Sequence, residues 1–298
     1  MALAGPAKKV VSEMISRLTH FVFLLPFLAL SVQPAKADKG DFEPLWEAGI
    51  GTGFYGGSSY PGSDDTTSQA LAVPYVIYRG ERLSIGEEGG VRALAYADER
   101  VEFDLSLGAS LDADSEDDAD RAGMPDLDFL FEIGPQVIFH AARHDYKNWR
   151  GQFDIKLRAR SVVATDFGSF DPMGFVIEPA FVYEMKSRLD NRLEWQFDVE
   201  ILYGTEKLND YFYQVDAAYA TAQRPAFNGK AGYIGTELGI GMAYPLSDRV
   251  QLYGGFDIEF YSGAANADSP LFKENIGYSG GFALVYKWRE SSRMVKRQ

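Results

Sequence analysis

Long segments of this chain alternate apolar and polar residues with a period of two, the pattern of β-strands that present one greasy face and one wet face. From Val101 to Ser110 the odd positions are Val101, Phe103, Leu105, Leu107 and Ala109; the even ones are Glu102, Asp104, Ser106, Gly108 and Ser110. Gly151 to Val163 repeats the habit, with Phe153, Ile155, Leu157 and Ala159 against Gln152, Asp154, Lys156, Arg158 and Arg160. Arg192 to Tyr203 sets Leu193, Trp195, Phe197, Val199, Ile201 and Tyr203 against Glu194, Gln196, Asp198 and Glu200. The same alternation marks Trp46 to Phe54, Ala70 to Arg79, Phe129 to Phe139, Phe175 to Glu184, Tyr233 to Tyr244, Val250 to Tyr261 and Tyr278 to Trp288. It is weaker at Arg82 to Gly86 and Gly90 to Tyr96.

Tilted strands need about 9–11 residues to cross a hydrocarbon layer, whereas soluble sandwiches use strands of about 5–6. The reading is therefore an all-β fold, a transmembrane antiparallel β-barrel over residues 38–288. The strand count is about 12, or about 10 if the weak pair does not span. Short turns at Arg79 to Glu81, Ala97 to Arg100, Lys186 to Asn191 and Pro245 to Asp248 interleave with long loops. The long loops are Tyr55 to Ser68, Leu111 to Asp128, Ala164 to Met173, Gly204 to Lys230 and Ser262 to Asn275. Short turns on one side and long loops on the other are the asymmetry of outer-membrane barrels. Aromatics near strand ends, among them Trp46, Tyr78, Tyr203, Tyr233, Tyr278 and Trp288, read as interfacial girdles.

The N-terminus carries Lys8, Lys9 and Arg17, an apolar run from Phe21 to Leu30, and then Ala35-Lys36-Ala37. That order predicts a secretory signal peptide, residues 1–37, cleaved before Asp38. Met14 is a second candidate start. No apolar run is long enough for a transmembrane helix, so any span must be made of strands. Beyond residue 37 the chain has 25 cations and 42 anions, net −17, which argues against nucleic acid as a partner. Cysteine is absent, which removes disulfides, thiolate metal sites and cysteine nucleophiles.

No catalytic or cofactor constellation emerges. His140 and His144 fall in an expected turn, Ala141 to Asn148, with no second motif to complete a metal site. The acidic run Asp112 to Asp120 lacks the central glycine and final glutamate of a calcium loop and reads as a solvated surface loop, with divalent-cation bridging to lipopolysaccharide as its functional alternative. The candidate functional residues are inner-face charges: Lys156, Arg158 and Arg160 against Asp154, Glu178, Glu194, Asp198 and Glu200. A charge facing lipid at midplane costs about 2–4 kcal/mol for Arg or Lys, so these residues must look inward. Two readings are open, a field across a pore and a paired network filling a narrow lumen.

The segments Tyr60-Pro61-Gly62-Ser63-Asp64, Val73-Pro74-Tyr75-Val76-Ile77-Tyr78-Arg79-Gly80 and Arg121-Ala122-Gly123-Met124-Pro125-Asp126-Leu127-Asp128 resemble the MipA/OmpV family of outer-membrane proteins. So do Glu132-Ile133-Gly134-Pro135, Tyr211-Phe212-Tyr213-Gln214-Val215, Gly232-Tyr233 and Asp268-Ser269-Pro270-Leu271. The resemblance runs from about residue 46 to residue 288. It implies a non-enzymatic barrel in the Gram-negative outer membrane, among lipid and lipopolysaccharide. It also implies a scaffold between a lytic murein transglycosylase and a murein synthase; permeability, antibiotic response and adhesion are other roles in the family. Gln214 stands where the family pattern predicts a glycine, and the chain runs past Trp288 as a basic tail, Arg289 to Gln298, available to an acidic partner or lipid.

Overall fold

The computed structural model describes residues 42–296 apart from 81–82, 86–90, 94–95, 99, 117 and 190–192; the expected signal peptide lies outside the described residues. Fifteen strands and one helix are described: β1 (Phe42–Pro44), β2 (Trp46–Ser58), β3 (Thr66–Arg79), β4 (Leu83–Ile85), β5 (Val91–Ala93), β6 (Tyr96–Ala97), β7 (Val101–Ser110), β8 (Phe129–Asp145), β9 (Trp149–Thr165), β10 (Asp171–Ser187), β11 (Glu194–Gly204), α1 (Glu206–Tyr213), β12 (Gly232–Pro245), β13 (Val250–Phe260), β14 (Ile276–Glu290) and β15 (Met294–Lys296).

Strands β2 to β14 form one antiparallel sheet in the order β5-β4-β3-β2-β14-β13-β12-β11-β10-β9-β8-β7-β6. The last long strand pairs with the first, from Glu290 opposite Glu47 to Gly280 opposite Gly56. At the other seam β5 lies against β7. A meander whose ends meet this way is the wall of a barrel. Ten strands have ten residues or more. The two weak segments are present only as short pieces, β4 and β5 with β6.

Alternation decides which face looks out. In β9, Ile155 and Leu157 are exposed while Asp154 and Arg160 are buried. Phe181, Phe197, Leu238, Ile240, Phe256 and Phe282 are exposed in the same way on neighbouring strands. This apolar belt on the outside of the wall suits a lipid solvent, and no helix among the described residues is long and apolar enough to cross a membrane. The hydrophobic core lies elsewhere, among the long loops and the strand ends that carry them: Tyr60, Leu127, Leu208, Phe212, Tyr213, Val215 and Leu271 are buried together with Leu130, Val162 and Val176.

The wall tolerates no extra atom at Gly134. A Cβ there would fall on the carbonyl oxygen of Ala159 and 2.7 Å from Cα of Arg160, where the β8–β9 ladder skips from Ile133 opposite Ser161 to Gln136 opposite Arg158. Gly134→Ala is therefore expected to cost on the order of 1–2 kcal/mol through backbone displacement, read as a lower urea midpoint of the refolded barrel; an unchanged midpoint would show that the two strands have slack.

The expected basic tail is structured from Arg289 to Lys296. Arg289 and Glu290 prolong β14, the Ser291 amide donates to Trp46 O at 2.8 Å, the Leu45 amide donates to Arg293 O at 2.8 Å, and β15 pairs with β1. Tail and N-terminal segment thus clasp one another beside the seam.

Candidate functional site

Cross-strand register assembles the inner-face charges. Arg158 on β9 stands directly opposite Glu178 on β10, and Ala180 stands between Lys156 and Glu200. Directly opposed residues in an antiparallel pair share a face. Arg158 Nη1 ion-pairs with Glu178 and with Glu200 Oε1 at 2.8 Å. Arg160 Nη2 ion-pairs with Glu178, its Nε reaches Glu132 Oε2 at 2.7 Å, and its Nη1 donates to Ser106 Oγ at 3.2 Å. Glu178 is 2% exposed and holds both guanidiniums. The network ties five strands, β7 to β11, with two cations against three carboxylates.

The remaining predicted residues are placed apart from it. Asp154 pairs with His140 Nδ1 at 2.9 Å and accepts from Gln152 Nε2 at 3.1 Å. Glu194 opens β11 opposite Lys186. Lys156 has no ion pair within 4.0 Å among the described residues. Asp198 accepts from Gln196 Nε2 at 3.0 Å and lies in a carboxylate group with Glu237 and Asp257, each offering an oxygen within 4.8 Å of the others. Gly239 makes that approach possible, since it stands opposite both Asp198 and Asp257, and a Cβ there would meet Asp198 and lie 2.8 Å from Asp257 Oδ1. Glu200, Glu237 and Glu259 form a second row, with Glu259 accepting from Ser279 Oγ at 2.7 Å and from the Tyr261 hydroxyl at 3.0 Å. The sequence reading missed Glu132, Glu237, Asp257 and Glu259, although parity places all four on the inner face. In β12 and β13 the neighbouring inner positions, Gly239, Gly241 and Gly255, are glycines that dilute the polar signal.

The expected turn at Ala141 to Asn148 is corrected: β8 runs to Asp145, so His140 and His144 lie in a strand. A bulge between His140 and Ala142 sends them to opposite faces, His140 inward to Asp154 and His144 outward against Tyr146 and Tyr183, with ring centroids 6.3 and 6.1 Å away. The acidic run is likewise not simply solvated. Asp118 is buried, Asp112 Oδ1 accepts from Gln69 Nε2 at 2.5 Å, and Asp120 pairs with Lys273 at 2.7 Å.

These contacts belong to a cap built from four of the long connections. Its hub is Arg121, 4% exposed, whose Nη1 donates to Phe212 O at 3.2 Å, Nη2 to Pro125 O at 3.1 Å and Nε to Ser115 Oγ at 3.2 Å, with the guanidinium 5.6 Å from the Tyr60 ring centre. The Tyr60 hydroxyl donates to Leu271 O at 2.8 Å, that of Tyr213 to Pro61 O at 2.9 Å, and Ser269 Oγ to Tyr213 O at 2.9 Å. Burial lowers the Arg121 guanidinium and raises the Asp118 carboxyl and Tyr60 hydroxyl from their ordinary values. Helix α1, within what the sequence reads as a loop, supplies the buried Leu208 and Phe212, four residues apart on one face. Gln214 caps it at φ −70°, a conformation that needs no glycine. Four segments that carry the family resemblance, around Tyr60, Arg121, Tyr213 and Ser269, thus meet in this one cap.

No curated protein matches the chain. Among solved structures, a bacterial polysaccharide outer membrane secretin is similar over 80% of this chain and 98% of its own, at 10% identity and TM-score 0.37. The NanC porin is similar over 80% and 100%, at 11% identity and TM-score 0.36. A loop-deletion form of OmpT, an outer membrane protein of Vibrio cholerae, is similar over 82% and 100%, at 9% identity and TM-score 0.27. A family model matches residues 50–288, nearly the whole wall with its cap, and by that match the chain belongs to the family described as MltA-interacting protein MipA.

Proposed function

We propose that this outer-membrane barrel is a non-conducting scaffold that holds a murein transglycosylase, and with it a murein synthase, at its short-turn end. The observation that carries the reading is that inner-face charge and long loops both serve internal contacts: Arg158 and Arg160 are neutralised by Glu132, Glu178 and Glu200, and the loops pack into a cap around Arg121. A conducting pore needs mobile, hydrated charge along its path, whereas a paired network rigidifies the wall. The family description, MltA-interacting, supports a transglycosylase as the partner, and family membership points to a protein without catalysis of its own. The second reading is a small cation-accepting channel, favoured by the carboxylates of Asp198, Glu237 and Asp257 on the inner face of β11 to β13.

Planar-bilayer recording of the refolded barrel, beside the triple variant Lys156→Ala, Arg158→Ala, Arg160→Ala, separates the two. The scaffold reading expects a silent wild type and a measurable Kd for purified transglycosylase on the barrel held in nanodiscs. Steady wild-type conductance whose ion selectivity shifts in the variant would replace the scaffold with the channel.

A further inference from the structure

The two ends of the barrel differ in charge. The long connections, residues 59–65, 111–128, 166–170, 205–231 and 261–275, hold 16 acids and 5 bases. The short connections 80–82, 98–100, 146–148, 188–193 and 246–249, with the C-terminal segment 287–298, hold 11 bases and 6 acids. A chain with a large excess of acid has therefore gathered cations at one end. Lys147, Arg249, Arg289 and Arg293 are exposed there, and none has an ion pair within 4.0 Å among the described residues.

All four tryptophans stand at this same end: Trp46 and Trp149 begin β2 and β9, Trp195 is second in β11, and Trp288 lies near the end of β14. Trp46 and Trp288 are exposed on the wall. A bulge between Lys287 and Arg289 then shifts the parity of β14, so that Arg289 pairs with Ala48, on the outward face between Trp46 and Ile50. A cation is thereby turned toward the lipid side at the level of the tryptophans. Near the interface such a cation costs only about 0–1 kcal/mol, and an anionic headgroup beside it makes the placement favourable.

We propose that the rim at the short-turn end binds anionic glycerophospholipid headgroups, with the indoles seated at the headgroup boundary and Lys147, Arg249, Arg289 and Arg293 meeting the phosphates. Indole rings favour the boundary between chains and water, and guanidinium groups match phosphate oxygens in pairs. At the capped end 16 acids outnumber 5 bases and repel an anionic headgroup, so the preference belongs to one leaflet.

Tryptophan emission reads this rim alone, because every tryptophan lies there. The refolded full chain is placed in phosphatidylcholine vesicles carrying a minor fraction of brominated lipid, either brominated phosphatidylglycerol or brominated phosphatidylcholine at equal bromine content. Brominated phosphatidylglycerol is expected to quench more strongly, with a relative association constant that falls about fivefold per cation removed and weakens in high salt. The fourfold variant Lys147→Gln, Arg249→Gln, Arg289→Gln, Arg293→Gln should lose the preference, and Lys207→Gln, at the capped end, should retain it. Arg289→Gln alone, the smallest change to the fold, should lower it measurably. Equal quenching of the wild type by both lipids would overturn the proposal and return the cations to an acidic protein surface; so would a fourfold variant that keeps the preference.

Discussion

Replacing Glu178 by alanine is expected to destabilise the barrel by about 3–5 kcal/mol, the usual cost of removing one partner from a buried ion pair. Two guanidiniums, Arg158 and Arg160, converge on this carboxylate, and both are largely withdrawn from water. Glu200 remains to Arg158 and Glu132 to Arg160, but neither bridges the pair, so two like charges are left two residues apart on the inner face of β9. Urea unfolding in vesicles, followed by tryptophan emission, measures the loss. The paired change Arg158→Met with Glu178→Leu should recover part of it, because removing both charges also removes their desolvation. A loss under about 1 kcal/mol for Glu178→Ala would mean that water already solvates the network, and the barrel would be wetter inside than its geometry implies.

Arg121→Ala should release the cap and leave the wall standing. One side chain carries hydrogen bonds from Arg121 to Phe212 O, Pro125 O and Ser115 Oγ, and its guanidinium lies over Tyr60. Its removal leaves buried acceptors without their donor and opens a void beside Tyr60, together about 2–4 kcal/mol. The expected readout is faster hydrogen exchange at Tyr213 and Val215 and faster tryptic cleavage within 205–231, with the strand amides of β9 and β10 still protected. Arg121→Lys should not rescue, since an ammonium cannot reach three acceptors in a fork. Unchanged exchange in the cap would show that apolar packing alone holds it.

The wall could be read from the sequence because each of its strands repeats one rule over many residues, and a lipid-facing row such as Ile155, Leu157 and Phe153 leaves no doubt about parity. The charged rows follow from the same rule, which is why Arg158, Arg160, Glu178 and Glu200 could be named together. What parity lacks is distance along the strand. It cannot say that Glu194 sits at a rim while Glu178 lies at the centre of the network, because that depends on register between strands. Bulges also escape it: one extra residue at His140 to Ala142 turned His144 to the face opposite His140, and another at Lys287 to Arg289 turned a cation outward. The cap was hidden for a different reason. Its contacts join segments up to 211 residues apart, as between Tyr60 and Leu271, and short motifs such as Tyr-Pro-Gly carry no periodicity. Helix α1 has only eight residues, interrupted by Asn209 and Asp210, too short a window for a period of 3.6 to stand out.

The seam between β2 and β14 joins the beginning of the chain to its end, and this fixes the order of assembly. Apart from the short β1–β15 ladder beside it, every other ladder links near neighbours and can zip as a hairpin, but residue 47 can meet residue 290 only after the intervening strands exist. Closing so long a loop is the slow, entropically opposed step, and it gains nothing until it is complete. The clasp of β1 on β15, just beyond that seam, keeps both ends side by side once they have met, so unzipping must first pull it apart. The chain's kinetic lifetime in the membrane is therefore set at its two termini rather than at its charged centre, and trimming the last ten residues should shorten that lifetime more than it lowers the equilibrium stability.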